Sequence, residues 1–284
     1  MLKASILSWS IPFNYSLVTR FNPIQDRASW VLLQYVPIMY LCFAAGPIAT
    51  APQRLAVALL AALSWQTFYE IGYIHNDVVT TKNEEQPTLR LNGDLLAYGS
   101  EKILALVGVR VACGLLLLAA TSGLASFIQV PVNLPIFILV IAGTMLAFVV
   151  HNTVRGRKNM LTYALLSAGR YASIPLLVAP EGGVVLYALV SILMVPLIRT
   201  LEHACKPKYG QTWLQGLMEP FHRSRVAYYA LVLGAYIVSA AALGAPMQLG
   251  AVFLYLLAYR TMVLMAIHRN MIRPTKHGSY RKRA

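Results

Sequence analysis

The stretch Glu70-Ile71-Gly72-Tyr73-Ile74-His75-Asn76-Asp77 runs on through Val78-Val79-Thr80-Thr81-Lys82-Asn83-Glu84. Read as a helix, it stacks Glu70, Tyr73, Asp77, Thr80 or Thr81, and Glu84 on one face, because these positions recur at helical spacing. Oxygen ligands stacked at a helix end suit Mg²⁺, which takes carboxylates together with substrate phosphates. The plainer account is a polar helix end meeting water. Two other places carry chemistry. In His151-Asn152-Thr153-Val154-Arg155, His151 and Arg155 lie one turn apart and can reach a single anion. Arg157 and Lys158 beside them read as anchors. The run from Pro196 to Gly210 includes Arg199, Glu202, His203, Lys206 and Lys208. Pro196 is expected to kink its helix and free a carbonyl. Glu202 and Lys206, four apart, have the spacing and order of a surface ion pair.

The elements that must hold these residues follow from composition. Of 284 residues, 58% are hydrophobic and 12% charged, against about 25% charged in a soluble domain. This excludes a disordered chain, a disulfide scaffold and an ordinary soluble enzyme. Lys and Arg number 24 against 10 Asp and Glu. In a chain this apolar, the excess reads as cytoplasmic loops facing anionic lipid, with no nucleic acid partner. Cys42, Cys113 and Cys205 show neither a disulfide framework nor a zinc spacing.

A spanning helix needs about 20 mainly apolar residues. Eight stretches qualify: 31–50, 55–75, 103–123, 134–151, 160–179, 182–199, 226–243 and 248–268. The expected fold is an all-α polytopic transmembrane bundle forming one domain over 1–284. An interfacial segment, 1–27, precedes it and a basic cytoplasmic tail, 269–284, follows. Trp9, Phe13, Tyr15 and Trp30 suit a headgroup belt. With the N-terminus inside, the inside segments hold twenty Lys and Arg and the outside loops one, Arg54. Both long polar loops, 76–102 and 200–225, then share the cytoplasmic face. Glu70 within a span is costly and points to a functional cavity. Arg170 sits about 16 Å along its helix from the cytoplasmic start and should face the bundle interior, binding a carboxylate, a carbonyl or substrate. Arg110 and Arg260, about 12 Å from their helix ends, read as snorkelling side chains.

Taken together these segments resemble the UbiA superfamily of intramembrane prenyltransferases. Its NDxxDxxxD motif after the second helix is matched in spacing by Asn76-Asp77-Val78-Val79-Thr80-Thr81-Lys82-Asn83-Glu84, with Gln86-Pro87 where the family has Arg-Pro. Its Tyr-Pro-x-x-Lys-Arg after the fourth helix corresponds, with chemical types shifted, to His151 through Arg155. Its second acidic motif, DxxxD with a glycine four residues on, falls on Glu202, Lys206 and Gly210. Arg20-Phe21-Asn22-Pro23-Ile24 also resembles the family's approach to helix one. The resemblance spans about residues 20–215. Asp77 keeps the family's residue, Glu84 and Glu202 are longer substitutes, Thr80 replaces one aspartate and Lys206 another. The family's nine helices exceed the eight counted here.

The resemblance implies an integral, multi-pass membrane enzyme transferring a prenyl group from an isoprenyl diphosphate to an aromatic or other lipophilic acceptor, with its active site on the cytoplasmic side. It implies Mg²⁺ held by Asn76, Asp77, Glu84 and Glu202, with Asp77, Glu84 and Glu202 catalytic. Diphosphate would be bound by Asn76, His151, Arg155, Lys206 and Arg170. Mg²⁺, Arg155 and Lys206 would stabilise charge developing on diphosphate as the allylic C–O bond breaks. An aromatic chamber would shield the cation. The altered motifs leave three arrangements: Lys206 on the diphosphate in place of one metal, a single Mg²⁺, or lost activity. Terpene cyclisation, phosphoribosyl transfer to a polyprenyl phosphate and non-catalytic binding of a lipid diphosphate are the alternatives.

Cysteine-accessibility labelling at positions 90 and 215 should mark both from the same side of the membrane. Labelling from opposite sides would overturn the arrangement.

Overall fold

The computed structural model describes residues 4–21, 23–83, 89–154 and 156–272. Among these residues the chain is helical, without strands. The helices are α1 (Ile6–Ser10), α2 (Asn14–Thr19), α3 (Ile24–Trp30), α4 (Val36–Phe43), α5 (Ala51–Val78), α6 (Gly93–Phe127), α7 (Leu134–Thr153), α8 (Lys158–Val178), α9 (Val184–Met194), α10 (Pro196–Ala204), α11 (Thr212–Met218), α12 (Phe221–Leu243) and α13 (Ala251–His268). Six helical stretches are long and apolar enough to cross a membrane, or seven if the bent pair α9–α10 is one span. Eight were expected. The chain divides into two compact units, residues 1–154 with 172–187, and residues 155–171 with 188–284.

The stretch missing from that count is the first expected span. Its apolar part begins at Val31, behind Gln25, Asp26 and Arg27, and Gly46-Pro47 stops it. Within it, Pro37 has no N–H for the turn before it. The chain widens there into a π turn, Val31–Tyr35, with Val36 N–H bonded to Val31 O. Yet α3, the π turn and α4 together run the length of α5. At one end Arg20, just before α3, meets Asp77. Midway Tyr35 donates to Gln66 at 3.2 Å. At the other end Arg54 meets the end of α4 and the chain just after it. Twenty residues at 1.5 Å each give about 30 Å, the thickness of a bilayer core.

Arg54 was expected in an outside loop. It is 5% exposed and donates to the carbonyls of Cys42, Phe43, Gly46 and Pro47 at 2.7–3.1 Å, and to Thr50 Oγ1. A helix end leaves carbonyls without partners, and one guanidinium collects them.

The aromatic residues expected in a headgroup belt are mostly inside. Trp9 and Tyr15 are fully buried, and Trp30 is nearly so. Trp9 packs with Tyr15, Ile74, Val78, Leu91 and Leu106. This cluster seats α1 and α2 against α5 and α6. Phe13, Phe21, Trp30 and Tyr35 form an adjoining stack.

In the second unit, Pro196 does what its chemistry demands. Helices α9 and α10 meet at a 43° bend. The carbonyls of Leu193 and Met194, at the break, accept from Tyr228 Oη at 2.6 Å and Tyr229 Oη at 2.8 Å. Two consecutive hydroxyls of α12 thus replace the backbone donors that the break removes.

Glycine decides how closely helices approach in the first unit. A Cβ at Gly72 would lie 2.3 Å from the Phe148 ring, and one at Gly114 2.7 Å from Phe68, whereas Gly108 faces open space. Gly72→Ala should therefore destabilise the protein by about 1–3 kcal/mol, while Gly108→Ala should leave stability unchanged or slightly raised. Thermal unfolding of both variants in one detergent checks this; equal midpoints would show that the α5–α7 contact yields.

Candidate functional site

The first unit places two carboxylates on α5, two turns apart, with different partners. Asp77 is 3% exposed. Arg20 Nη2 lies 2.8 Å from its carboxylate, and Arg90 Nη1 lies 3.1 Å away. Tyr15 Oη donates at 2.9 Å and Asn76 Nδ2 at 3.2 Å. Burial, then the neighbouring Asp77 charge, pushes the Tyr15 phenol above its ordinary range, so it stays protonated and donates. Thr81 Oγ1 turns back to the carbonyl of Asp77, as α5 gives way to a 3₁₀ turn at Thr80–Asn83.

Arg20 is only partly used. Its Nε and Nη1 are buried without hydrogen-bond partners among the described residues. Its guanidinium lies 4.5 Å from the centroid of Tyr73. Tyr73 belongs to a three-ring group with Tyr69 and Phe148, at centroid distances of 4.7–5.9 Å and near-perpendicular planes. Unfilled N–H donors therefore lie beside aromatic faces.

Glu70, expected to face a functional cavity, is instead neutralised. It is fully buried, as is Arg110 of α6, whose Nη2 lies 2.9 Å from Glu70 Oε2. This is a charge contact rather than an aligned hydrogen bond. Glu70 Oε1 accepts the backbone N–H of Ser16 at 2.7 Å, and Arg110 Nη1 donates to Thr67 O. Arg110 therefore does not snorkel; breaking such a pair leaves a buried charge at a cost of about 3–5 kcal/mol.

Also in this unit, an apolar cavity of about 320 Å³ is lined by Phe13, Val31, Tyr35, Met39, Leu59, Ala62 and Leu63. That volume is at the lower end of ligand pockets. His151 is half-buried at the end of α7. Asn152 is buried, with Nδ2 3.2 Å from His75 Nδ1. Arg155 and Glu84 lie outside the described residues.

In the second unit, Glu202 is 5% exposed. Arg225 holds it through both oxygens, with Nε on Oε1 and Nη2 on Oε2 at 2.9 Å. Arg199 Nη1 adds 3.0 Å to Oε2. The expected Glu202–Lys206 pair does not form, since Lys206 starts the turn beyond α10 while Arg199 and Arg225 take both oxygens. Arg260, expected to snorkel, is 7% exposed. Arg170 is half-buried on α8.

Sequence reasoning missed a chain of polar groups beyond α10. His203 Nε2 lies 2.8 Å from Tyr209 Oη, and Tyr209 donates to Asn159 Oδ1 at 3.0 Å. With the phenol proton on Asn159, His203 Nε2 must supply the other proton. The ring of His203 stacks on Tyr163 at 3.9 Å. This chain fixes the turn carrying Lys206 and Lys208, closed by Gly210 at φ +67°. Its only sequence signal was a histidine and a tyrosine six apart.

Among the described residues no three His, Cys, Asp or Glu side chains gather to hold a metal. Asp77 and Glu202 are each already met by two arginines. The residues described do not fit a magnesium site. No protein-family model matches the chain, and no curated protein or solved structure is significantly similar to it.

Lys206 has no carboxylate within ion-pair distance among the described residues. Burial, then Lys208 and Arg199, pushes its ammonium down to about 8. At pH 8 about half is free amine, against well under 1% for an ordinary lysine. An amine-acylating reagent at pH 8 should therefore modify Lys206 well ahead of Lys102 and Lys158, read by peptide mass spectrometry. Because its folded value lies below the unfolded one, its contribution to stability rises with pH from about 8 to about 10.4. Uniform labelling of the three lysines would contradict this.

Proposed function

We propose that the chain is an integral membrane transferase of the UbiA kind, moving a prenyl group from an isoprenyl diphosphate to a lipophilic acceptor. One observation carries the reading: Arg20, paired to Asp77, has buried N–H donors unfilled and lies on Tyr73 beside Tyr69 and Phe148. A diphosphate needs cationic donors; the allylic cation left when it departs needs electron-rich ring faces and no water. That pairing is what the substrate presents. The motif spacing at Asp77 and Glu202 supports it, as does the absence of Lys and Arg from the turns 128–133, 179–183 and 244–246, a bias that favours a cytoplasmic side for the basic turns.

In the proposed reaction the allylic C–O bond breaks and its electron pair leaves on diphosphate, towards Arg20 and Arg90. The acceptor's electron pair forms the new C–C bond, and the ring proton is taken up by the released diphosphate. Asp77 positions Arg20 and Arg90 and keeps their charges compatible with burial. The apolar cavity between α5 and the π turn at the start of α4 is suited to an isoprenoid tail. No step is assigned to magnesium.

The second reading is a binder that holds a lipid diphosphate without converting it. It is favoured by the arginine pairs that already occupy both carboxylates.

Purified protein should be incubated with allylic diphosphates of several lengths, with and without Mg²⁺ and an aromatic acceptor, and products identified by mass spectrometry. Acceptor-dependent prenylation is expected, and a cyclic hydrocarbon without acceptor would redirect the reading to cyclisation. Asp77→Ala should abolish turnover, and Tyr73→Leu should lower it about ten- to a hundredfold, at the scale of a desolvated cation–π contact and above. Normal turnover in Asp77→Ala would remove this mechanism; tight binding without any product would establish the second reading.

A further inference from the structure

One short helix outside the spans carries apolar side chains that the second unit leaves uncovered. Helix α11 lies between α10 and α12 and belongs to none of the stretches long enough to cross a membrane. Leu214 and Met218, one turn apart, form a stripe that is buried. Trp213 and Leu217 form the stripe beside it, and they are 70% and 71% exposed. Half of a continuous apolar arc is therefore bare. Exposed leucines on the spanning helices are accounted for by lipid tails. A bare tryptophan and leucine side by side on a connecting segment mark an interaction surface.

The surroundings of this pair are cationic. Lys208 is exposed in the turn before α11, which Gly210 closes. Arg157 is exposed just before α8 and reaches the same turn, since a Cβ on Gly210 would lie 3.8 Å from its Nη2. Arg223 is exposed in the first turn of α12, beside Ser224, whose hydroxyl donates to Met218 O and closes the corner after α11. The acid on this stretch, Glu219, is half-buried and accepts from Gln215 at 3.1 Å. One carboxylate thus stands against three exposed cations. The indole N–H of Trp213 donates to Gln211 Oε1 at 3.2 Å, so the polar atom of the ring is already met on its own segment. Tyr209, bonded to Asn159, ties the start of α8 to the end of α10. Helix α11 therefore lies at the end of the second unit where α8 begins and α10 stops.

We infer that α11 is a membrane-surface anchor: Trp213 and Leu217 enter the headgroup layer, and Arg157, Lys208 and Arg223 bind anionic phospholipid around them. An interfacial helix lies in the plane of the surface with its apolar face about 5–10 Å deep. An indole suits that layer, and neighbouring Lys and Arg are drawn to an anionic leaflet. Charge complementarity selects this occupant over two others. A second copy would bring the same three cations against their own kind. Residues 273–284 carry five Lys and Arg and no acid, so the chain's own tail is repelled as well. An anionic lipid surface supplies both an apolar layer and the opposite charge. This goes beyond the transferase reading; it rests on the spanning helices and uses neither the Asp77 nor the Glu202 group.

Of the four tryptophans, Trp9, Trp30 and Trp65 are buried and Trp213 is exposed, so fluorescence quenching reports on α11. The full chain is reconstituted in phosphatidylcholine vesicles, and Trp213 emission is taken as the difference between wild type and Trp213→Phe. Acrylamide quenches from water. Phosphatidylcholine or phosphatidylglycerol with a doxyl group near the headgroup quenches from the lipid. Doxyl lipid should quench Trp213 strongly and acrylamide weakly. Doxyl phosphatidylglycerol should act at a mole fraction about fivefold below doxyl phosphatidylcholine, the scale of one cation at an anionic surface. Replacing Arg157, Lys208 and Arg223 together by Gln should remove that preference and keep quenching by doxyl phosphatidylcholine. Leu217→Glu should shift Trp213 towards acrylamide. All four side chains are exposed, so these variants should fold, which circular dichroism checks. Full acrylamide quenching without lipid quenching would leave α11 in water and overturn the anchor. Equal quenching by the two lipids would overturn the anionic-lipid assignment. Protection from both quenchers would overturn it too, and a doubled particle mass in detergent would then put a second copy on this face. Absence of prenyl transfer with the expected quenching pattern would count against the transferase reading alone.

Discussion

A buried charge in an apolar interior persists only where an opposite charge or a set of dipoles meets it. Nearly every polar contact of consequence in this chain answers that demand. Glu70 is met by Arg110, Asp77 by Arg20 and Arg90, and Glu202 by Arg199 and Arg225. Arg54 has no carboxylate and uses backbone carbonyls instead. Apart from Arg199, which shares α10 with Glu202, the partners come from other segments, so meeting the charges fixes those segments. Glu70 and Asp77 tie α2, the segment before α6, and α6 itself to α5. Buried pairs of this kind add little net stability over apolar replacements, but they exclude arrangements in which any one helix has slipped.

How far this was legible depends on sequence distance. The long apolar helices and the break at Pro196 follow from local rules of length and backbone chemistry, and they stand where those rules put them. The burial of Arg110 does not, because Glu70 lies forty residues away and nothing in either neighbourhood names the other. Glu202 was read against Lys206 by helical spacing. Its partners are one turn before it and on α12, and spacing favours whichever cation is nearest along the chain. Trp9 and Trp30 illustrate another limit. An indole suits a membrane interface and a packed core for the same reason, its large apolar body with one polar atom. Only the neighbours decide the matter: Ile74, Val78 and Leu106 around Trp9, and the rings of Phe13, Phe21 and Tyr35 around Trp30.

The first expected span shows how a local irregularity hides a regular path. Asp26 and Arg27 at one end and Pro37 in the middle make residues 24–43 a poor candidate by apolar length. Contacts of Arg20, Tyr35 and Arg54 nonetheless trace the whole length of α5. The π turn absorbs the proline, and the polar start is accommodated where Arg27 donates to Phe21 O.

The latch between α2 and α5 has a consequence for how the protein is made. The segment around Ser16 and Arg20 leaves the ribosome first, but Glu70 and Asp77 follow 54 and 57 residues later. Arg110 comes a further forty residues after Glu70. At about 5–20 residues per second, Glu70 waits roughly two to eight seconds for its counter-charge. During that interval a bare carboxylate lies within a nascent hydrophobic segment, so α5 cannot settle in lipid alone. It must be held in a wet or proteinaceous passage until α6 arrives, and the two helices should leave the insertion machinery as a pair.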